Sequence, residues 1–276
     1  MIQQISVILL IALISLSSCG QKANSKNHHE NVADDYKPAY TPGELNAKFE
    51  FAFKQSSTDT LKQIFNDWNK TIKPNTTAFI EQNDTIKAVF EAFREFYKPL
   101  NLLKLGNWEW GNKLNADSKY VVVQNNISYA IMPADSSKNF EWRTSGYESI
   151  DNFRPPVNLD SKKVLYLTEA YDTALNQFLG AESTKMGEPN IMNPSRPAGE
   201  SEKRYEMIRP FIPILHGHWG GYWHLETHPL VSIILLNKDL TIAKFDFRVG
   251  YQGGEATLIK SANGWKIKES KTTWIE

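Results

Sequence analysis

Residues 242–249, "IAKFDFRV", set Ala243, Phe245, Phe247 and Val249 in strict alternation with Lys244, Asp246 and Arg248. Successive side chains of an extended chain face opposite ways, so this segment buries one face and wets the other. Three further extended segments accompany it, "PLVSIILL", "EATLIK" and "WKIKESKTTWI". The links are "NKD", "GYQGG" and "NG", and Asn-Gly between such runs is a hairpin signal. Four strands on short links dictate an antiparallel meander at the C-terminal end, with Trp265 and Trp274 assigned to its core.

The N-terminal half has a different period. At "TPGE", Thr41 can cap a helix, Pro42 fits its first position and Glu44 completes a capping box. Leu45, Phe49, Ala52 and Phe53 then recur at helical spacing. A second helix follows "SSTD", with Leu61, Ile64, Phe65, Trp68 and Ile72 on one face. A third follows "NDT", with Ile86, Val89, Phe90, Phe93 and Tyr97, and Pro99 marks its end. Such aromatic stripes could line a ligand groove, but at helical period they more often pack a core. Beyond Lys119, "KYVVVQNNISYAIM" reads as two strands about an Asn-Asn turn, and "KKVLYL" as a buried strand. That strand runs into a helix capped by Thr168 and closed by Gly180. Residues 181–200 read as a loop, with a short helix in "SEKRYEMIRPFI" after it. Helices followed by an antiparallel sheet make the chain α+β.

Thirty-one basic residues balance 31 acidic ones, and no basic run or stripe appears, so nucleic acid has no electrostatic handle here. The first eighteen residues carry no charged side chain and contain "ISVILLIALISL", which suits the core of a signal peptide. The segment ends in Leu16-Ser17-Ser18-Cys19, which resembles the lipobox of bacterial lipoproteins. The resemblance implies that Cys19 is lipidated and becomes the N-terminus of the mature chain, although "MIQQ" lacks the usual Lys or Arg. Cys19 is the only cysteine, so no internal disulfide and no thiol nucleophile remain. Residues 20–40 are polar and form a flexible tether with a reach of roughly 25 Å, on which His28 and His29 are solvated.

"HGHWGGYWHLETH", residues 216–228, holds four of the six histidines. His216, His218, His224 and His228 are the metal candidates. Trp219, Tyr222, Trp223, His224 and Glu226 are the candidate binding residues. On one straight strand the even-numbered residues share a face. Gly220-Gly221, however, suits a two-residue hairpin turn that sets Trp219 against Tyr222, His218 against Trp223 and Gly217 against His224. That turn separates His216 and His218 from His224 and His228. His224, Glu226 and His228 on one strand span about 13 Å and cannot close on one ion without a bulge. HExxH is absent, as are GxSxG, GxGxxG and the P-loop, so no cofactor and no metal centre are expected and no catalytic residue is assigned. The rival idea is an aromatic shelf built from Trp108, Trp110, Trp142, Trp219, Tyr222 and Trp223.

Through "DTIKAVFEAFREFYKPL", "NFRPPVN", "KKVLYLT", "GHWGGYWHLETHP", "GYQGGEA" and "TTWIE", the chain resembles a group of Gram-negative bacterial lipoproteins. The resemblance implies an envelope location and carries no activity. The terminal meander with "NGWKI" is similar to the curved sheets of NTF2-like and cystatin-like folds, a likeness of fold alone. The expected organisation is a signal peptide at 1–18, a lipidated tether at 19–40 and a soluble α+β domain at 41–276. Within that domain, 41–200 and 201–276 are candidate mixed and sheet parts. Gly20 after the cysteine points to the outer membrane, facing the periplasm. The leading reading is a domain that binds a small molecule, a glycan or an envelope protein, with the lipidated Cys19 in the membrane and no chemistry of its own. The alternative is a hydrolase or isomerase, metal-dependent in one version, with its site near residues 216–228.

Overall fold

The computed structural model describes residues 39–106, 108, 113, 115–132, 146–179, 190–191, 199–216, 222–225 and 229–275. Two compact units divide the chain, Met1–Asn31 and Val32–Glu276, and the first lies wholly outside the described residues. Gly180, Trp110 and Trp142 lie outside them too.

The helices begin where their caps dictate. Helix α1 (Pro42–Lys54) carries the complete capping box between Thr41 and Glu44, with Pro42 in its first turn. Ser57 caps α2 (Thr58–Thr71), Thr76 caps the single turn α3 (Thr77–Ile80) and Asn83 caps α4 (Asp84–Phe96). The apolar stripes read from the sequence are buried except for the half-buried Phe53, with Ala88, Ala92 and Phe96 added on α4. Helix α5 (Glu169–Leu179) and helix α6 (Glu200–Ile208) follow. Thr168 precedes α5, but its Oγ1 is buried with no hydrogen-bond partner among the described residues.

Strands β1 (Tyr120–Gln124) and β2 (Asn126–Ile131) do not form the expected hairpin. Only Asn125 separates them, and they enter different sheets. Strand β1 pairs in parallel with β4 (Lys163–Leu167), and all five of its residues are buried. Burial on both faces is what a parallel strand requires, and it overrides the turn preference of Asn-Asn. Strand β2 pairs antiparallel with β3 (Glu148–Asp151) and parallel with β8 (Leu230–Leu236). The meander then continues through β9 (Ile242–Val249), β10 (Gln252–Ser261) and β11 (Gly264–Ile275). The order β11-β10-β9-β8-β2-β3 is therefore mixed where an antiparallel sheet was expected, because β2 joins it alongside β8. Ser261 pairs with Gly264 at the last hairpin, and the positive φ of 92° falls on Gly264.

Side chains close the edges of the β1–β4 pair. Trp68 Nε1 donates to the Tyr166 carbonyl at 2.9 Å and Asn69 Nδ2 to that of Val164 at 2.8 Å. Tyr97 Oη donates to the Val122 carbonyl at 3.1 Å. At the end of β1 the Gln124 amide accepts from the Val231 N–H at 2.8 Å and donates to the Val231 carbonyl at 2.9 Å. Gln124 thus acts as one more peptide unit, tying the small sheet to the irregular point on β8 where Ser232 is skipped in the register with β9.

One hydrophobic core runs from Leu45 to Trp265. Phe96 stacks on Phe245 and meets Phe247 edge-on, while Phe90 and Phe93 pack on Phe153. These contacts lay α4 across the inner face of the sheet. Trp265 belongs to this core, being 6% exposed. Trp274 does not, at 46% exposure. It lies on the edge strand and covers Gly253 on β10, where an added Cβ would come within 1.9 Å of the indole.

The double bond between Gln124 and Val231 is the clearest target for substitution. Gln124→Ala is expected to cost about 2–4 kcal/mol, because it leaves the Val231 N–H and carbonyl buried without partners. Urea unfolding of the variant against the parent measures it, and a loss below 1 kcal/mol on the order set for an ordinary surface change rules the coupling out.

Candidate functional site

The histidine-rich stretch lies in a three-stranded sheet of order β5-β7-β6, made of Asn190–Ile191, Tyr222–Leu225 and Ile214–His216. Strand β5 falls within the stretch 181–200 read as a loop. Strands β6 and β7 are antiparallel, but the register differs from the expected one by two residues. His216 pairs with Trp223, Leu215 with His224 and Ile214 with Leu225. Residues 217–221, with the expected Gly220-Gly221 turn, lie outside the described residues, and the described pairs give the register of the two strands alone. A shift of two preserves parity, because the strand period is two. His216 and His224 therefore hold ladder positions of opposite parity. Tyr222 and Trp223 are likewise placed as strand positions. His218, Trp219, Glu226 and His228 lie outside the described residues, as do Cys19, His28 and His29. Among the described residues, no group of three His, Cys, Asp or Glu is placed to hold a metal ion.

The outer face of the large sheet is less wetted than its sequence implies. Glu255 stands directly opposite Asp246, and Lys244 Nζ lies 3.2 Å and Lys271 Nζ 3.8 Å from Glu255. Burial and the facing Glu255 push the Asp246 carboxyl above the usual range, against the pull of Lys244. The Lys244 and Glu255 side chains are only 14% and 20% exposed, which marks this cluster as a packed charge network.

A second polar set lies among the helices. Asp172 and Asn176 stand four residues apart on one face of α5, and Thr168 lies four residues before Asp172, just ahead of the helix. Asn176 Nδ2 donates to Asp172 Oδ1 at 3.2 Å. Burial drives the Asp172 carboxyl up to about 7, partly offset by that bond and assisted by Glu169. Nearby, Arg204 of α6 bonds Glu50 at 2.6 Å, Glu200 at 2.6 Å and the Phe178 carbonyl at 2.9 Å. Its guanidinium also lies over the Phe53 and Phe178 rings. Arg204 is 5% exposed and fastens α1, α5 and α6 together, a structural role.

Two cavities lie along the polar face of α4. A cavity of about 430 Å³ lies between α4 and the β10–β11 hairpin, lined by Glu91, Arg94, Glu95, Lys260, Asn263 and Trp265 among others. A second, of about 330 Å³, is lined by Arg94, Tyr97 and residues 98–101 and 156–159. Arg94 is common to both. Lys260 bonds Glu91 at 2.9 Å and lies 5.7 Å from the Trp265 ring centroid. Lys98 lies 3.6 Å from Glu95. Arg94 has no ion-pair partner among the described residues. The groove joins residues about 170 positions apart in sequence, so no local motif announces it; the signal present was the polar face of α4 opposite its buried stripe.

Comparison with protein-family models, with curated proteins and with solved structures returned no match. The site is therefore read from its chemistry alone.

Two outcomes follow. The folded protein keeps the Asp172 proton above the ordinary value of 3.8, so wild-type stability contributed by this group is present at low pH and falls as pH rises towards 7. Asp172→Asn keeps the acceptor and cannot ionise. Its stability relative to wild type is expected to rise between acid and mildly alkaline pH by an amount on the order of 2 kcal/mol, read from chemical denaturation at several pH values. A flat difference would exclude the raised carboxyl. For the histidines, metal analysis of tag-free protein is expected to find no stoichiometric zinc, iron or manganese. Metal lost on changing both His216 and His224 to alanine would restore the metal-centre reading.

Proposed function

We propose that this chain is a lipid-anchored cell-envelope protein whose α+β domain binds a small polar ligand in the groove beside α4. The anchor reading is supported by Leu16-Ser17-Ser18-Cys19 after an uncharged apolar segment. Among the described residues, no helix is long and apolar enough to cross a membrane. The sequence that follows Cys19, residues 20–40, is polar, as a tether requires. The observation that carries the binding reading is the pair of cavities meeting at Arg94, within the size range of small-molecule sites. The alternative of a hydrolase or isomerase near residues 216–228 gains no specific support from the strand positions of His216 and His224.

Location is tested directly. Cys19→Ser is expected to abolish labelling by radioactive palmitate and to move the protein from the outer-membrane fraction to the soluble fraction. Retention of label and membrane in the variant would sink the lipoprotein reading. Protease treatment of intact cells should spare the domain if it faces the periplasm, and its removal would place it on the cell surface.

A further inference from the structure

We propose that the groove takes a singly charged acidic sugar, one carrying a carboxylate, with Arg94 as its anion-binding residue; this rests on the reading of the groove as the ligand site. The charges lining the cavities determine the sign. Each carboxylate of α4 that lines them is already neutralised, Glu91 by Lys260 at 2.9 Å and Glu95 by Lys98 at 3.6 Å. Arg94 stands between them on the same helical face, lines both cavities and is exposed. A guanidinium presents a planar fork that a carboxylate meets with two hydrogen bonds. With Glu91 and Glu95 each paired to a lysine, the net charge of the group is the single positive charge of Arg94, which one carboxylate balances and a dianion exceeds.

The rest of the lining asks for hydroxyls. Asn263 lines the first cavity and Asn101 and Asn158 the second. Their carboxamides make no hydrogen bond to the described residues, and each can both donate and accept. Pro99, Pro156, Val157 and Leu159 supply an apolar wall beside them, which suits the C–H face of a sugar ring. Trp265 backs the first cavity from the core and is too buried to serve as an open stacking platform. One fixed cation, scattered neutral amides and an apolar wall together match an acidic monosaccharide or the acidic residue of a short glycan.

The test uses the full-length lipoprotein in detergent micelles and saturation-transfer NMR of three probes: glucuronate, glucose and glucose 6-phosphate. Glucuronate is expected to bind at least about tenfold more tightly than glucose, and more tightly than the doubly charged phosphate. Arg94→Gln is expected to remove the advantage of glucuronate and leave glucose unchanged, with the melting temperature unaltered because Arg94 is exposed. Raising the salt should weaken glucuronate alone. Ala262→Trp, on the exposed hairpin turn, should fill the first cavity and abolish binding. Sugar binding that is lost in Ala262→Trp yet indifferent to Arg94→Gln overturns the acidic-sugar inference and leaves the groove as the ligand site. Binding indifferent to Ala262→Trp, or no binding of any probe at tens of millimolar, overturns the groove reading as well.

Discussion

A two-stranded parallel sheet buried in a core needs partners for its outer edges, because burial removes the water that would otherwise bond the free carbonyls and N–H groups of each strand. The pair β1–β4 lies at the heart of this fold, and the helices around it are placed so as to answer those groups. Trp68 and Asn69 on α2 take the carbonyls of Tyr166 and Val164, Tyr97 at the end of α4 takes that of Val122, and Gln124 binds both backbone groups of Val231. These donors belong to residues that also fill the core, since Trp68 and Tyr97 are at most 2% exposed. The same side chains therefore provide apolar area and polar satisfaction, and the positions of α2 and α4 follow from both demands together.

Once α4 is held by Tyr97, its rings decide what it faces. Phe96 enters between Phe245 and Phe247, and Phe90 and Phe93 meet Phe153. The opposite face, with Glu91, Arg94 and Glu95, is left beside the β10–β11 hairpin, where Lys260 reaches across to Glu91. The groove is thus a consequence of core packing, and its charge pattern comes from the face that the core rejected. A polar groove arises in this way without any local motif in the sequence.

The free edge of the sheet shows a different constraint. Strand β11 is twelve residues long and exposed from Lys271 onwards, which is a template for unwanted pairing. Its register with β10 skips Lys268 and Thr273, two irregularities that twist the edge, and Lys266, Lys268 and Lys271 add charge along it. Trp274 is exposed for the same reason. It is an edge residue laid over a glycine, where the regular alternation of the sequence pointed to the core.

Elements whose cause is local were legible in the sequence. The capping box at Thr41–Glu44, the stripes Leu61–Trp68 and Ile86–Phe93, and the alternation of Ala243–Val249 each express a period of one element, and the structure has them where that period dictates. The α+β class follows from those elements alone. What only the tertiary structure decided is which elements meet. The assignment of β1 and β2 to different sheets depends on burial on both faces of β1, and the insertion of β2 beside β8 on pairing across about a hundred residues. The register that sets His216 against Trp223 lies two residues from the one that a turn at the glycine pair implies, and it is fixed by the pairing of whole strands. The groove at Arg94 depends on a helix and a hairpin brought together by rings on their other faces. Local periodicity encodes an element's buried face, but the partner for that face is chosen by shape and by the need to pair every buried polar group, and neither is written in any short stretch of chain.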